Sequence, residues 1–499
     1  MVAPMTLIGK MQKLPRSTGS GRRRPMPQHP TRYEQLADDM TQAMSDGLLK
    51  PGERLPSVRQ TCHRRGVSPS TVFQAYGLLE TRGLVEVRPR SGFYVSVPKR
   101  SLRASLRPAV PRSEATEVAV SALAFDLLES TRDPTVVPLG SAFPRGSLFP
   151  VDALARSGAR AMRRLKPEQV TSALTAGDET LRQALRKRYA LQGVPLASDE
   201  LVVTNGALEA LNLCLQAVTQ PGEVVAIESP TFYAALQVLE RLKLRAVEIA
   251  TDPAEGVDLD ALAAVLARER VAACWLMPTF QNPLGALMPV ARKRALVDLL
   301  ARHDVPLIED DVYGELYADL RRPPPAKAFD TTGGVLHCSS FSKCLSPGYR
   351  VGWAAAGRFA RDVQRLKMMS SLATSLPPQL AIADYLGQGA YDRHLRQLRA
   401  LLADEQQRVR RLVLRHFPAS TRVTQPRGGY FLWLELPPTV DALVLHHRAM
   451  AAGISSAPGV LFSADRRFTH HLRLNVGHPG DPRIDGAVRQ LGEMAASMA

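Results

Sequence analysis

Residues 339–350 read SSFSKCLSPGYR, with Lys343 set among serines and Arg350 seven residues further on. The stretch has neither helical nor strand periodicity. It reads as a loop, and an ordinary loop lysine is a solvated charge. Other polar residues, each placed where a short apolar run ends, change that expectation. ELVVTNG closes on Asn205-Gly206 and leads through Ala207 and Leu208 into a helical stretch. A glycine turn at a helix N-terminus offers free N–H groups and the positive dipole end, which suits a phosphate. ESPTFY puts Phe232 and Tyr233 on a loop, and either ring could stack on a flat ligand. PTFQNPLG exposes Asn282 as a donor, and VPLIEDDVYG puts Asp310 three residues before Tyr313.

An amine, a carboxylate, polar donors, an aromatic ring and a phosphate cup form a set with one collective meaning. Pyridoxal phosphate needs a lysine for a Schiff base and an acid to keep its pyridine nitrogen protonated, so that the ring draws electrons. The motifs QNPLG, DDVY, SSFSK…PGYRVGW and LRLNVG, in that order, resemble those of the fold-type I aminotransferases. The resemblance implies a catalytic pair, with Lys343 as the Schiff-base lysine and Asp310 against the pyridinium. It implies that Tyr313 and Asn282 bind the ring hydroxyl oxygen and that Phe232 covers the ring. It places Gly206, Ala207, Leu208, Ser340, Ser342 and Arg350 around the phosphate. Arg473 would grip a ligand carboxylate with its two-pronged guanidinium. There are two departures from the family pattern. The phosphate turn reads NGALEA, where aminotransferases usually carry Ser or Thr and often Gln. QVTSALTAGDETLR (169–182) lacks the tyrosine that the family usually supplies from a neighbouring subunit, which bears on transamination more than on cofactor binding.

These residues need a scaffold that brings strand ends together. ELVVTNG, EVVAIESP, ACWLMPTFQNP and VPLIEDDVYG alternate with helical stretches such as ALEALNLCLQAV and ARKRALVDLLARH. Strands alternating with helices predict an α/β domain with a mainly parallel sheet, from about residue 136 to 499. In such sheets ligands bind at the carboxyl ends of the strands.

Residues 31–98 follow another plan. Three helical stretches, the second closed by Gly66 and the third opened by Ser68 and stopped near Gly83, precede a hairpin around Pro89–Gly92. Helix, helix, helix, hairpin is the order of a winged helix-turn-helix. The text LKPGERLPSVRQ…GVSPSTVFQAYGLLETRGLVEVRPRSGFYV resembles the DNA-binding domain of the GntR family. That resemblance implies that Arg59, Ser68, Ser70, Thr71, Arg90, Ser91 and Gly92 face DNA. Pro69 and Phe73 stand where family members often have arginine, so base readout is reduced. Arg59, Arg64, Arg65, Arg88 and Arg90 remain to hold phosphates. A protein-binding winged helix is the alternative.

Charge agrees with this division. The chain of 499 residues carries a net +17, of which +10 falls in residues 1–100, with 17 Lys+Arg against 7 Asp+Glu. A basic first fifth suggests a polyanionic partner, though charge alone also fits a merely basic soluble protein. Residues 1–30 read as a disordered tail and 99–135 as a Pro- and Arg-rich linker. No apolar stretch reaches eighteen residues, and the N-terminus does not look like a secretory signal. The five cysteines have no metal-type spacing, so no metal site is expected and a reducing cytoplasm is the simplest location.

The two halves together resemble the MocR subfamily of bacterial regulators. The resemblance implies a homodimer in which a pyridoxal-phosphate domain senses an amino acid, an amine or vitamin B6 and a winged helix reads DNA. A working aminotransferase with a DNA-binding appendage is the competing expectation. A scaffold with a dead cofactor site fits less well, because Lys343, Asp310, Tyr313 and Arg350 are all present.

Overall fold

A computed structural model of the chain describes residues 32–45, 49, 52–81, 84–88, 91–95, 106, 114–118, 120–121, 124–125, 133–172 and 176–499. The expected tail, 1–30, and Gly83 lie outside these residues. The chain divides into two units, Met1–Ser101 and Leu102–Ala499.

In the first unit, α1 (Arg32–Ser45), α2 (Val58–Arg65) and α3 (Pro69–Thr81) precede the antiparallel pair β1 (Val85–Arg88) and β2 (Gly92–Val95). Local chemistry sets the helix ends. Ser57 and Gln60 form a reciprocal capping box before α2, and Gly66, at φ +63°, closes that helix with its N–H on the Cys62 carbonyl. The Ser68 Oγ accepts the Thr71 N–H at 3.3 Å where α3 begins. Leu36, Ala37 and Met40 of α1 pack on Val72, Ala75, Tyr76 and Leu79 of α3, with Val85 and Val95 from the hairpin. The Tyr76 hydroxyl, 2.7 Å from Thr61 Oγ1, donates to the Pro56 carbonyl at 2.7 Å, which fixes α3 to the turn before α2.

The second unit is built on a nine-stranded sheet. Its strands are β3 (Thr116–Glu117), β4 (Leu201–Thr204), β5 (Val224–Ser229), β6 (Arg245–Asp252), β7 (Gly256–Val257), β8 (Val271–Leu276), β9 (Leu307–Asp310), β10 (Val335–Ser340) and β11 (Gly352–Ala355). The order is β3-β6-β5-β8-β9-β10-β11-β4, with β7 paired to β6. The run β6-β5-β8-β9-β10 is parallel, and β11 runs against both of its neighbours. Both faces are covered, as the unbroken apolar runs require. Along β5, Val225 and Ile227 meet helices 207–218 and 233–241, while Val224 and Ala226 meet helices 259–268 and 290–302. A smaller sheet near the C-terminus has the order β12 (Arg422–Val423), β13 (Phe431–Glu435), β15 (His471–Asn475), β14 (Ala457–Pro458). The chain's three tryptophans all lie in this unit: Trp275 on β8, Trp353 on β11 and Trp433 on β13.

The expected linker, 99–135, is too long. β3 pairs antiparallel with β6, Val118 and Val120 are buried, and the Glu240 carboxylate accepts the N–H groups of Val120 and Ser121 at 2.8 and 2.9 Å. Leu106 and Ala124 are buried in the same unit.

Candidate functional site

The strand ends meet as expected. β4 ends at Thr204, which pairs with Gly352 at the start of β11. A side chain on Gly352 would overlap the Gly206 backbone, and one on Gly206, at φ +85°, would strike the Arg350 guanidinium. Glycine is therefore required at both positions. Arg350, itself at φ +51°, donates from Nη2 to the Asn205 carbonyl at 3.2 Å and from Nη1 to Ser342 Oγ at 3.3 Å. The Ser340 Oγ accepts the Ser342 N–H at 3.3 Å. Helix 207–218 starts at this point, directly after Gly206 and with no side-chain cap. Ala207 is buried and Leu208 is exposed. A helix N-terminus, two hydroxyls and a guanidinium thus converge on one concavity, which suits a phosphate without any side chain from Ala207 or Leu208.

Lys343 stands beside this cup. Its Nζ donates to the Ala142 carbonyl at 2.9 Å and lies 3.7 Å from the centre of the Phe143 ring. Burial, then the positive Arg473, push its amine down to about 7, with Asp310 pulling the other way. A neutral amine is the nucleophilic form. Asp310, at the end of β9, is buried, and its Oδ1 has no hydrogen-bond partner. Burial lifts its carboxyl to about 7, against a hydrogen bond from the Val312 N–H. A buried acid with a free oxygen needs a cationic or N–H partner.

Asn282, Tyr313 and Arg473 are likewise buried. Asn282 accepts from Arg473 Nη1 at 3.2 Å and keeps an unpartnered Nδ2. Tyr313 packs edge-on against Tyr430 and Phe431, at 5.5 and 5.6 Å between ring centres, and burial raises its hydroxyl pKa. Arg473 Nη2 donates to the carbonyls of Gly140 and Ser141 at 2.8 and 3.1 Å, and its Nε is unpartnered. No carboxylate pairs with it among the described residues; burial lowers its pKa and Tyr233 opposes that. Phe232 immediately precedes helix 233–241, half-buried and 4.8 Å from the buried Tyr233 ring. The Arg473 guanidinium lies 6.0 Å from the centre of the Tyr233 ring.

Against pyridoxal phosphate the residues fit. The cup takes an anion, Asp310 offers an unpartnered buried oxygen, and Asn282 offers an unpartnered buried donor. Sequence reading missed three participants. The segment Gly140–Phe143 reaches both Lys343 and Arg473 through main-chain carbonyls, which no side-chain pattern reveals. Glu228, buried on β5, accepts the Met277 N–H at 2.9 Å and is pushed up to about 8, first by burial, with Asp310 adding to the shift. An acid inside the apolar run VVAIES was its signal. The third is His337, whose Nδ1 lies 2.8 Å from Glu309 Oε2 and whose Nε2 lies 2.7 Å from the Tyr189 hydroxyl, on the strand beside Asp310.

In the first unit, Arg59, Arg64, Arg65, Ser68 and Ser70 are exposed and Thr71 is half-exposed. The Ser68 hydroxyl lies 2.8 and 2.9 Å from those of Ser70 and Thr71 at the start of α3. Ser91 and Gly92 form the described side of the hairpin turn, with Ser91 Oγ 2.7 Å from the Tyr94 hydroxyl. Arg90 lies outside the described residues, as does the Arg88 side chain. The outer face of α3 also presents Phe73, which is 58% exposed, and Gln74. Gln74 was passed over; its spacing of four from Ser70 places it on the same face.

The family models divide the chain as the fold does. "Aminotransferase class I and II" matches residues 134–489, and "Bacterial regulatory proteins, gntR family" matches residues 32–95. The uncharacterized HTH-type transcriptional regulator YdcR of Escherichia coli (strain K12) is 48% identical over 463 residues, 93% of this chain and 98% of that protein. Among solved structures, a multiple substrate aminotransferase from Thermococcus profundus is 27% identical with a TM-score of 0.71, covering 76% of this chain and 96% of its own. LysN, the alpha-aminoadipate aminotransferase of Thermus thermophilus, complexed with N-(5'-phosphopyridoxyl)-L-leucine, is 30% identical with a TM-score of 0.69, covering 77% and 96%. With a class I and II aminotransferase domain behind a gntR-type winged helix, this chain belongs to the MocR subfamily of GntR-family regulators.

Proposed function

We infer that this protein is a pyridoxal-phosphate-dependent transcriptional regulator, in which ligand chemistry at the Lys343 crevice governs how the winged helix engages DNA. The observation that carries the reading is the joint presence, on one chain, of a winged helix within a first fifth that carries +10 and a crevice holding a neutralised lysine, a half-satisfied buried acid and a buried arginine with no carboxylate partner among the described residues. When bound, pyridoxal phosphate supplies an aldehyde that takes up primary amines and a ring that withdraws electrons. Lys343 would carry it. Asp310 would hold a proton at its ring nitrogen, Asn282 and Tyr313 would donate to its ring oxygen, and Phe232 would cover one face. Gly206, Ala207, Leu208, Ser340, Ser342 and Arg350 would enclose its phosphate. Arg473 would receive the carboxylate of an amino-acid effector. On the DNA side, Arg59, Ser68, Ser70, Thr71, Arg90, Ser91 and Gly92, together with Gln74, would make the contacts.

A homodimer suits this reading. Leu208 and, on the adjacent helix 360–370, Met368 and Met369 expose apolar side chains, and the Lys367–Glu209 ion pair at 2.9 Å ties the two helices together. No described helix is long and apolar enough to cross a membrane. A protein that reads chromosomal DNA works in the cytoplasm, and the five free cysteines are compatible with that. The competing reading, a working aminotransferase with a DNA-binding appendage, draws on the same intact crevice.

The test is direct. Borohydride reduction followed by peptide mapping should fix the cofactor on Lys343, and the holoprotein should bind a fragment from upstream of its own gene. An effector should change that affinity without net amino-group transfer to a 2-oxo acid. Label on another lysine ends the cofactor reading, and rapid turnover with unaltered DNA binding favours the enzyme.

A further inference from the structure

The residues just before the crevice form a strap. Gly140, Ser141, Ala142 and Phe143 lie across it, and their carbonyls serve its two cations. Gly140 and Ser141 accept from Arg473 Nη2, at 2.8 and 3.1 Å, and Ala142 accepts from Lys343 Nζ at 2.9 Å. The Phe143 ring covers the Lys343 amine at 3.7 Å. Each end of the strap is sewn to the C-terminal lobe. Val137 bridges Ile454, the Gly140 N–H meets Ser455 Oγ at 3.1 Å, the Phe143 carbonyl accepts from Asn475 Nδ2 at 2.7 Å, and the Arg145 N–H meets the Gly477 carbonyl at 2.8 Å. The same strap is the chain's continuation from the segment that leads back to the winged helix.

We propose that the strap Gly140–Phe143 is the ligand sensor of this crevice: an effector whose amine takes the cofactor and whose carboxylate competes with the strap's carbonyls for Arg473 releases it. The proposal rests on the cofactor reading above. A carboxylate gripped side-on takes two adjacent donors of a guanidinium. Arg473 Nε is unpartnered, but its neighbour Nη2 spends both N–H groups on the strap, so such a grip displaces at least one of the two carbonyls. Those carbonyls accept no other hydrogen bond among the described residues. Left buried without a donor, each is destabilising, and the strap moves toward water. The Lys343 end takes no part in the competition, because in the holoprotein that amine is bonded to the cofactor, and the Ala142 carbonyl still accepts from the Tyr430 hydroxyl at 3.0 Å. An amine alone therefore loosens the strap less than an amino carboxylate does.

Two reagents separate the contributions. Aminooxyacetate and O-methylhydroxylamine both transfer their nitrogen to the cofactor's aldehyde carbon. A carbon–nitrogen double bond forms to the reagent, the bond to Lys343 Nζ breaks, and the two protons of the reagent's nitrogen pass to the lysine amine. Only aminooxyacetate brings a carboxylate. Hydrogen exchange of residues 137–145 is followed by mass spectrometry on the full-length holoprotein. Aminooxyacetate should speed it roughly tenfold or more, and O-methylhydroxylamine by a few-fold at most. In Arg473→Leu the two reagents should act alike. Cofactor absorbance that reports reaction with both reagents, with unchanged or equal exchange in the wild type, overturns the sensor and leaves the cofactor reading intact. A difference that persists in Arg473→Leu also overturns it. A protein with no cofactor absorbance to change overturns both.

Discussion

The two units use charge in opposite ways. In the winged helix, Arg59, Arg64 and Arg65 stand exposed, Arg65 beside Asp39 at 3.0 Å, and exposed cations of this kind act additively: each that meets a phosphate adds a little affinity. In the larger unit, Lys343, Asp310 and Arg473 act singly, because burial has altered each of them. The lysine is driven toward neutrality, the acid toward protonation, and the arginine meets no carboxylate among the described residues. Surface charge is easily kept and weak per residue, whereas buried charge is costly and specific, so one substitution in the crevice should outweigh several on the helix face.

Lys343→Ala tests that contrast most severely. It should abolish borohydride-fixed label and shift the cofactor's absorbance from that of a Schiff base to that of the free aldehyde, while some cofactor is retained through the phosphate cup. Salt comes next. Raising it from 50 to 200 mM should cut the full-length protein's DNA affinity by roughly a thousandfold through counterion release. Cofactor affinity, set by partly buried contacts, should fall by less than about tenfold. A comparable fall in both would erase the distinction. Within the DNA series, Arg59→Ala should lower the slope of log affinity against log salt by about one. Asp310→Ala should weaken cofactor binding about a hundredfold in equilibrium dialysis, the scale of breaking a buried charge pair. The smallest effect concerns pH. Folded, the Lys343 amine titrates near 7, against about 10 in the unfolded chain. The folded state therefore carries its full penalty below pH 7, and the penalty fades as pH rises from 7 to 10, where the unfolded chain holds the extra proton. Without cofactor, Lys343→Met should melt above the wild type by a margin that is greatest near pH 7 and nearly gone at pH 10.

What could be read from the sequence follows from how each feature is encoded. Lys343, Asp310, Asn282 and Gly206 were visible because strand ends are marked by abrupt changes from apolar to polar residues, and a parallel sheet gathers those ends. The helices α2 and α3 were visible for a similar reason, since Gly66 and Ser68 punctuate them, whereas the Ser57 capping box before α2 emerged only in the structure. The strap at Gly140–Phe143 was not, because its contacts run through carbonyls that every residue possesses. β3 was hidden by its brevity, two residues just after a Pro- and Arg-rich stretch. β11, running against its neighbours, reads like any other strand, and only Gly352, forced by the approach of Gly206, betrays its place. Arg350 at positive φ has no sequence signature either, although the bend it makes is what turns its guanidinium into the cup.

The placement of the tryptophans has a practical consequence. Trp275, Trp353 and Trp433 are all interior to the larger unit, and Trp353 donates to the Tyr189 hydroxyl at 2.9 Å, in the same cluster as His337. The winged helix has no tryptophan at all. Excited where tryptophan alone absorbs, the full-length protein emits from one half only, and its optical voice is mute about the half that meets the promoter. Any quenching or spectral shift on adding an oligonucleotide then has to originate in the other unit. The native chain thus carries its own unlabelled gauge of communication between the two.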